Sequence, residues 1–217
     1  MSKVQVTYTY ISQFIHHSSL HALLRYLPHE LHADILRYKF EPDQYARAIG
    51  KYLLLKQLEA LGYPSEVLKD LTKDAYEKPV LKGIPLSFNI AHSQDLVVCA
   101  VSTECQIGID VEYIKPIERG LFKDQFTPSE WHKIEKDDSL HAFYNHWTRK
   151  ESVIKADGRG LQIPLQTIDT TQAVIQMRDT LTHWYLQALL LDQAYKAHLC
   201  SDSKVNRVVI QKLAPNV

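Results

Sequence analysis

The sequence predicts an α+β protein of two lobes, on three observations. A first strand candidate is followed by helix-patterned segments, short apolar strands fill the middle of the chain, and helix signals then give way to strands again. At 217 residues with 45% hydrophobic content, the chain can bury a core as one large domain or two small ones. Only seven glycines and no low-complexity tract leave no place for a long flexible linker, so two lobes must pack closely. The join is expected near residues 102–106, dividing the chain into 1–103 and 104–217.

Val4 to Tyr10 alternates apolar and polar side chains and reads as a strand. Pro28 to Tyr38 and Pro42 to Leu61 read as helices; in the second, Ile49, Leu53 and Leu54 stand at helical spacing and Gly62 supplies the stop. From Leu86 the runs shorten to LSFNIAH, DLVVCAVS and QIGIDVEYI, a strand meander with Ser93-Gln94-Asp95 as a turn. Thr127-Pro128-Ser129-Glu130 combines an N-cap, a proline at the first helical position and an early acid, so a helix begins there. A second helix covers about Leu140 to Ala156, and strands return near Ala173 to Met177, Ala194 to Ser201 and Arg207 to Leu213.

Composition excludes several classes. Lys plus Arg and Asp plus Glu both number 25, so no overall basic field exists to hold a nucleic-acid backbone. No 18 apolar residues run together, so no membrane span is expected, and the N-terminus lacks the basic start and apolar stretch of a secretion signal. Cys99, Cys105 and Cys200 are an odd number without a C-x-x-C pair, which fits inert thiols in a reducing cytoplasm. His16-His17 and His29/His32 lack partners at zinc spacing.

Within QIGIDVEYI, strand alternation puts Ile107, Ile109, Val111 and Tyr113 on one side and Gly108, Asp110 and Glu112 on the other. Same-face neighbours sit roughly 7 Å apart, close enough for two carboxylates to share one ion. All-oxygen ligands favour Mg²⁺ over zinc, and Mg²⁺ completes its shell with water and substrate phosphates, which points to a phosphate ester or pyrophosphate substrate. A D-x-E pair alone is more often a solvated strand face than a metal site. In FYNHWTRKESVIKADGRGL, Trp147, Glu151 and Lys155 stand four residues apart on one side of a helix, a pattern that in a generic helix reads first as a surface ion pair.

GIDVE at 108–112 paired with WTRKESVIK at 147–155 resembles the phosphopantetheinyl transferase superfamily, specifically the monomeric two-lobed type named for the surfactin-synthetase activator. Two further stretches match in order: QYARAIGKYLL, with Arg47 and Gly50, and EKPVLKGIPLSFNIAHSQDLVVCAVS, which is similar to the family's G-K-P…FNISHS. The resemblance implies two similar α+β lobes packed as a pseudo-dimer. It implies transfer of the 4'-phosphopantetheine arm of coenzyme A to a serine of an apo acyl or peptidyl carrier protein, releasing 3',5'-ADP. Asp110, Glu112 and Glu151 would hold Mg²⁺, Lys155 would contact the pyrophosphate, and Arg47, Lys78 and His92 would bind the nucleotide end.

Glu151 is the first candidate for general base, alone or through a metal-bound water, and Glu130 in the F-x-x-x-E segment is the reserve. Trp147 is expected to pack the helix at the lobe interface. The segment 114–126, IKPIERGLFKDQF, offers Lys115, Arg119 and Lys123 among apolar residues: either a docking edge for a small acidic carrier or an amphipathic stretch sealing the domain. Two departures from the family stand out: Glu77 replaces Gly before Lys78-Pro79, and Ala91 replaces Ser before His92, which removes a hydroxyl expected on phosphate. Few basic residues lie between Leu27 and Lys39, where the family's best-known member offers lysines to the coenzyme. A noncatalytic binding homologue is the alternative of another class. Ser152-Val-Ile-Lys155 is also an S-x-x-K motif of acyl-serine enzymes, but K-T-G is absent and Ser87-Phe88-Asn89 precedes the motif.

Overall fold

The computed structural model describes residues 2–177 and 181–215. The first strand, β1 (Lys3–Tyr10), leads into short helices α1 (Ile11–His17), α2 (Leu20–Leu24) and α3 (His32–Leu36), then the long α4 (Glu41–Ala60). The expected helix from Pro28 is shorter than its pattern suggested, because it opens as a 3-10 turn over His29–Leu31. In α4 the proline falls in the first turn with Glu41 and Asp43 beside it, where the missing amide costs nothing and acids meet the helix dipole.

A small hairpin, β2 (Leu71–Lys73) with β3 (Pro79–Leu81), precedes β4 (Ser87–Ser93) and β5 (Leu96–Ser102). Then come β6 (Ile107–Tyr113), α5 (Pro128–Asp137), α6 (Leu140–Asp157), β7 (Val174–Gln176), β8 (His183–Leu189), β9 (Tyr195–Ser201) and β10 (Arg207–Lys212). Thr127 and Glu130 form a reciprocal capping box on α5, Ser139 caps α6, and Gly158 (φ 95°) ends α6 in a left-handed conformation. Strands β2, β3 and β8 and helices α1 and α2 lay outside the pattern read from sequence.

Two four-stranded sheets result, in the orders β10-β1-β5-β4 and β6-β9-β8-β7. The expected meander is therefore broken at its third strand: β4 and β5 form a hairpin, while β6 pairs antiparallel with β9 in the second sheet. The last strand, β10, returns to the first sheet and runs parallel to β1. Helices α1 to α4 cover the outer face of the first sheet with Phe14, Leu23, Ile35, Ile49 and Leu53. The inner faces meet in a cluster that takes Val4, Val6, Leu96 and Val98 from one sheet and Ile107, Ile109, Val111 and Leu199 from the other. Helix α6 packs on the far side of the second sheet through Val153 and Ile154. Trp147 stacks on Phe143, its ring centroid 6.1 Å away, beside Phe122 and Phe126. It thus joins α6 to a 3-10 segment over Arg119–Gln125 and to α5, not to the first sheet, because its aromatic partners lie in that cluster.

Candidate active site

Strands β4 and β6 are the facing edges of the two sheets, and their junction builds the site. Side chains of β4, not its backbone, satisfy the amides of β6: Ile107 N donates to Ser87 Oγ at 3.1 Å, Ile109 N to Asn89 Oδ1 at 2.9 Å and Tyr113 N to Ser93 Oγ at 3.1 Å. Every odd-numbered polar residue of SFNIAHS is thereby spent on the seam, which meets the demand that buried amides be paired. On the opposite face of β6, Gly108 lets α6 approach to backbone contact. A Cβ there would lie 2.2 Å from both Ala156 N and Ser152 O.

That approach assembles the acids and their cation. Lys155 Nζ on α6 donates to Asp110 Oδ1 on β6 at 2.6 Å. Ser93 Oγ donates to Glu112 Oε2 at 2.6 Å. Burial pushes the Asp110 carboxyl up to about 7, helped by repulsion from Glu112 and Glu151 and opposed by Lys155. Glu151 is raised by the same burial, with Glu112 adding and Lys155 opposing. Burial alone would lower the Lys155 ammonium, but Asp110, Glu151 and Glu112 outweigh it and hold it above its ordinary value. The helical neighbours Glu151 and Lys155 were read as a pair; the closer bond runs across to Asp110.

Among the described residues, no three His, Cys, Asp or Glu side chains stand in an arrangement that encloses a metal ion. Asp110 and Glu112 each spend an oxygen on a protein donor, while the buried Asp110 Oδ2 has no hydrogen-bond partner. The orphaned Asp110 oxygen and its two neighbouring carboxylates have the all-oxygen chemistry that a hard divalent cation takes, but the three are not arranged to enclose one.

Beside this cluster lies a cavity of about 760 Å³ whose lining includes Arg47, Lys78, His92 and Lys155. The four residues expected around the coenzyme thus share one space. Arg47 on α4 lies over the Tyr38 ring, its Cζ 4.7 Å from the centroid. Burial lowers the His92 imidazole, and Arg47 and Lys155 push it the same way, so it stands neutral at pH 7. Lys78 donates to Ala156 O at 2.8 Å, tying the β2–β3 hairpin to the end of α6, and burial lowers its ammonium.

Other sequence candidates fall elsewhere. Glu130 is fully buried, with one oxygen taking Thr127 N at 2.8 Å and Lys150 Nζ at 2.7 Å and the other taking Thr170 N at 2.8 Å and the Thr170 hydroxyl. With both oxygens committed it is not free to serve as the reserve base. Ser152 is buried and donates to Arg149 O at 2.8 Å, so the S-x-x-K serine is a helix-bonded core residue. Ala91 belongs to the apolar cluster between the sheets and not to the cavity lining, so the substitution there takes no donor from the cavity wall. Glu77 sits at φ 67°, a left-handed conformation that explains why glycine suits this turn. Ser93 was missed as the partner of Glu112; the period-2 polar residues of SFNIAHS were its signal.

A two-sheet α+β protein that sets an acidic cluster against a cavity rich in cations is built to handle a phosphorylated ligand. A family model described as "4'-phosphopantetheinyl transferase superfamily" matches residues 106–208, and one described as "4'-phosphopantetheinyl transferase, N-terminal" matches residues 16–104. The chain is 32% identical to the 4'-phosphopantetheinyl transferase gsp of Aneurinibacillus migulanus over 187 residues, 82% of this chain and 78% of that protein. It is 34% identical to the 4'-phosphopantetheinyl transferase Sfp of Bacillus subtilis (strain 168), over 58% of this chain and 60% of that protein. It is also 31% identical to the L-aminoadipate-semialdehyde dehydrogenase-phosphopantetheinyl transferase of Mus musculus, over 65% of this chain and 51% of that protein. The chain belongs to the 4'-phosphopantetheinyl transferase superfamily, in the Sfp type.

Proposed function

We propose that the chain transfers 4'-phosphopantetheine from coenzyme A to a serine of an apo carrier protein and releases 3',5'-ADP. The observation that carries this reading is the convergence of Arg47, Lys78, His92 and Lys155 on one cavity, with Lys155 bonded to Asp110 beside Glu112 and Glu151. The reading divides the chain into lobes of 1–103 and 104–217 packed as a pseudo-dimer, with β10 crossing back to complete the first sheet. The family models, which meet between residues 104 and 106, support that division. Three buried free thiols fit a reducing compartment, and among the described residues no helix is long and apolar enough to cross a membrane.

In this mechanism Arg47, Lys78 and His92 hold the nucleotide end and Lys155 draws charge from the pyrophosphate. Asp110, Glu112 and Glu151 would hold Mg²⁺, which when bound supplies countercharge to the pyrophosphate oxygens. The serine oxygen forms a bond to the β-phosphorus while the bond to the leaving 3',5'-ADP breaks, and the serine proton passes to Glu151. Without a bound cation, burial raises the proton affinity of Glu151, with Glu112 adding to it and Lys155 opposing it. The rate then comes chiefly from positioning and charge stabilisation.

The test is to mix the protein with coenzyme A, Mg²⁺ and several apo carrier proteins and weigh the carriers by mass spectrometry. The expected result is the gain of one phosphopantetheine group. No mass gain on any carrier, with coenzyme A still bound, refutes transferase activity and leaves a binding homologue.

A further inference from the structure

The α3/α4 wall of the cavity carries more positive charge than its acids balance. Arg37, Arg47 and Lys51 all line it, and the carboxylate in contact with them is that of Asp34. Asp34 is shared: Arg37 Nη2 takes one oxygen at 3.1 Å, while Lys51 Nζ lies 3.6 Å from the other, long for an ammonium–carboxylate bond. The Lys51 side chain is only 11% exposed, whereas Asp34 is 48% exposed and Arg37 60%. A cation removed from water and held by a distant partner is costly unless another anion approaches. Burial accordingly lowers the Lys51 ammonium, with Asp34 opposing and Arg47 reinforcing.

The neighbouring guanidiniums are held ready. Arg37 and Arg47 both lie over the Tyr38 ring, at 5.3 and 4.7 Å from its centroid, which limits the freedom each loses when it binds. Glu77, another acid of the lining, pairs with Lys73 at 2.5 Å and so does not offset this group, which leaves Asp34 and Glu30 as two carboxylates against the three cations.

We infer that Lys51, flanked by Arg37 and Arg47, is the specificity residue for a phosphomonoester on the nucleotide, and that Asp34 acts as an internal competitor for it. The inference rests on the proposed use of coenzyme A, whose 3'-phosphate is the group that this wall would take. It also accounts for the scarcity of basic residues before Lys39: the missing charge is supplied one helix later, at the first buried position of α4 that faces α3 and carries an ammonium.

The experiment measures binding of 3',5'-ADP and of 5'-AMP by titration calorimetry to the whole chain and to Lys51→Gln, Lys51→Arg and Asp34→Asn. The unaltered protein should prefer 3',5'-ADP, and Lys51→Gln should lose roughly ten-fold or more of that preference, the worth of one charge-assisted bond. Lys51→Arg should keep most of it, and Asp34→Asn should increase it. An unchanged preference in Lys51→Gln, or equal weakening toward both nucleotides, overturns the assignment. If Lys51→Gln fails to fold, Asp34→Asn decides alone, and a preference that does not rise sinks the idea. The carrier assay separates the two readings: transfer with an unaltered nucleotide preference removes Lys51 only, while a Lys51-dependent preference without transfer removes only the transferase reaction.

Discussion

Gly108 is where backbone geometry and chemistry depend on the same atom, so Gly108→Ala is the most informative single change. The new Cβ would lie 2.2 Å from Ala156 N and Ser152 O, and ordinary contact begins at 3.4 Å, so α6 and β6 must part by about 1.2 Å. Both partners are backbone, which leaves no flexible side chain to swing aside. Opening by that amount stretches the 2.6 Å Lys155–Asp110 bond to about 3.8 Å, beyond hydrogen-bond range. Overpacking typically costs ~1–3 kcal/mol, and the loss of a buried charge-assisted bond puts this site at the upper end, about 3 kcal/mol. For a chain of this length that is a fall in Tm of roughly 6–12 °C. Gly120→Ala is the control, because nothing lies within 4 Å of a Cβ there. Thermal melts followed by near-ultraviolet circular dichroism give the stability, and the carrier mass assay gives turnover, which should drop at least about ten-fold as Lys155 leaves its place. A Gly108→Ala protein that melts within about 2 °C of the parent and turns over normally would refute the argument.

Three further outcomes follow from the same geometry. Glu130→Gln leaves Lys150 buried without its countercharge and should cost ~3–5 kcal/mol in urea unfolding; unchanged stability with lost turnover would restore Glu130 as a base. Burial lowers the His146 imidazole to about 4, so below pH 6.5 the unfolded chain takes up a proton that the folded one refuses. His146 should therefore draw stability down, by up to ~1.4 kcal/mol per pH unit, as pH falls from about 6.5 toward 4; His198, which burial lowers to about 3, adds a like slope, so His146→Gln should roughly halve the dependence of the urea midpoint over that window. Lys115 and Lys123 are exposed on either side of Leu121, itself 74% exposed, so Lys115→Glu with Lys123→Glu should raise KM for an acidic carrier protein and leave that for coenzyme A alone. If neither KM moves, the segment only seals the domain through Ile114, Ile117 and Phe122.

The long elements were legible because their periodicity is strong. Alternation in QIGIDVEYI assigned Ile107, Ile109, Val111 and Tyr113 to an apolar face, and the first three are buried as that pattern requires while Tyr113, at the strand's end, is exposed; Asp110 on the other face is buried as well, which alternation did not demand. Helix α4 announced itself by Pro42 and Gly62. Sheet membership was not legible: local periodicity says that β6 is a strand but not which strand it joins, and only the distant β9 completes its ladder. The short elements failed for another reason, since three-residue β2 and β3 are too brief to carry a period. Within the site, motif spacing brought Glu151 and Lys155 together on a helix, whereas the Lys155–Asp110 bond depends on how closely two backbones approach. Lys51 lies within QYARAIGKYLL, but spacing did not single it out, and its meaning comes from burial beside Asp34.

Strand β4 couples the two halves of the site. Its odd-numbered Ser87, Asn89 and Ser93 grip β6, while its even-numbered Phe88, Ile90 and His92 line the cavity, which Asn89 also borders. A slip of one residue would exchange these faces, sending His92 into the seam and turning Ser93 away from Glu112. The register must therefore be fixed from outside the strand, and Asp95 at the end of the β4–β5 turn does so. Its backbone carbonyl accepts Ile11 N at 2.7 Å, and its carboxylate takes Ser12 N and Ser12 Oγ, both at 2.7 Å, which locks the hairpin to the start of α1. The nucleotide wall and the acidic cluster are thus set by one turn, so a change there should disturb both together, although Asp95 faces neither.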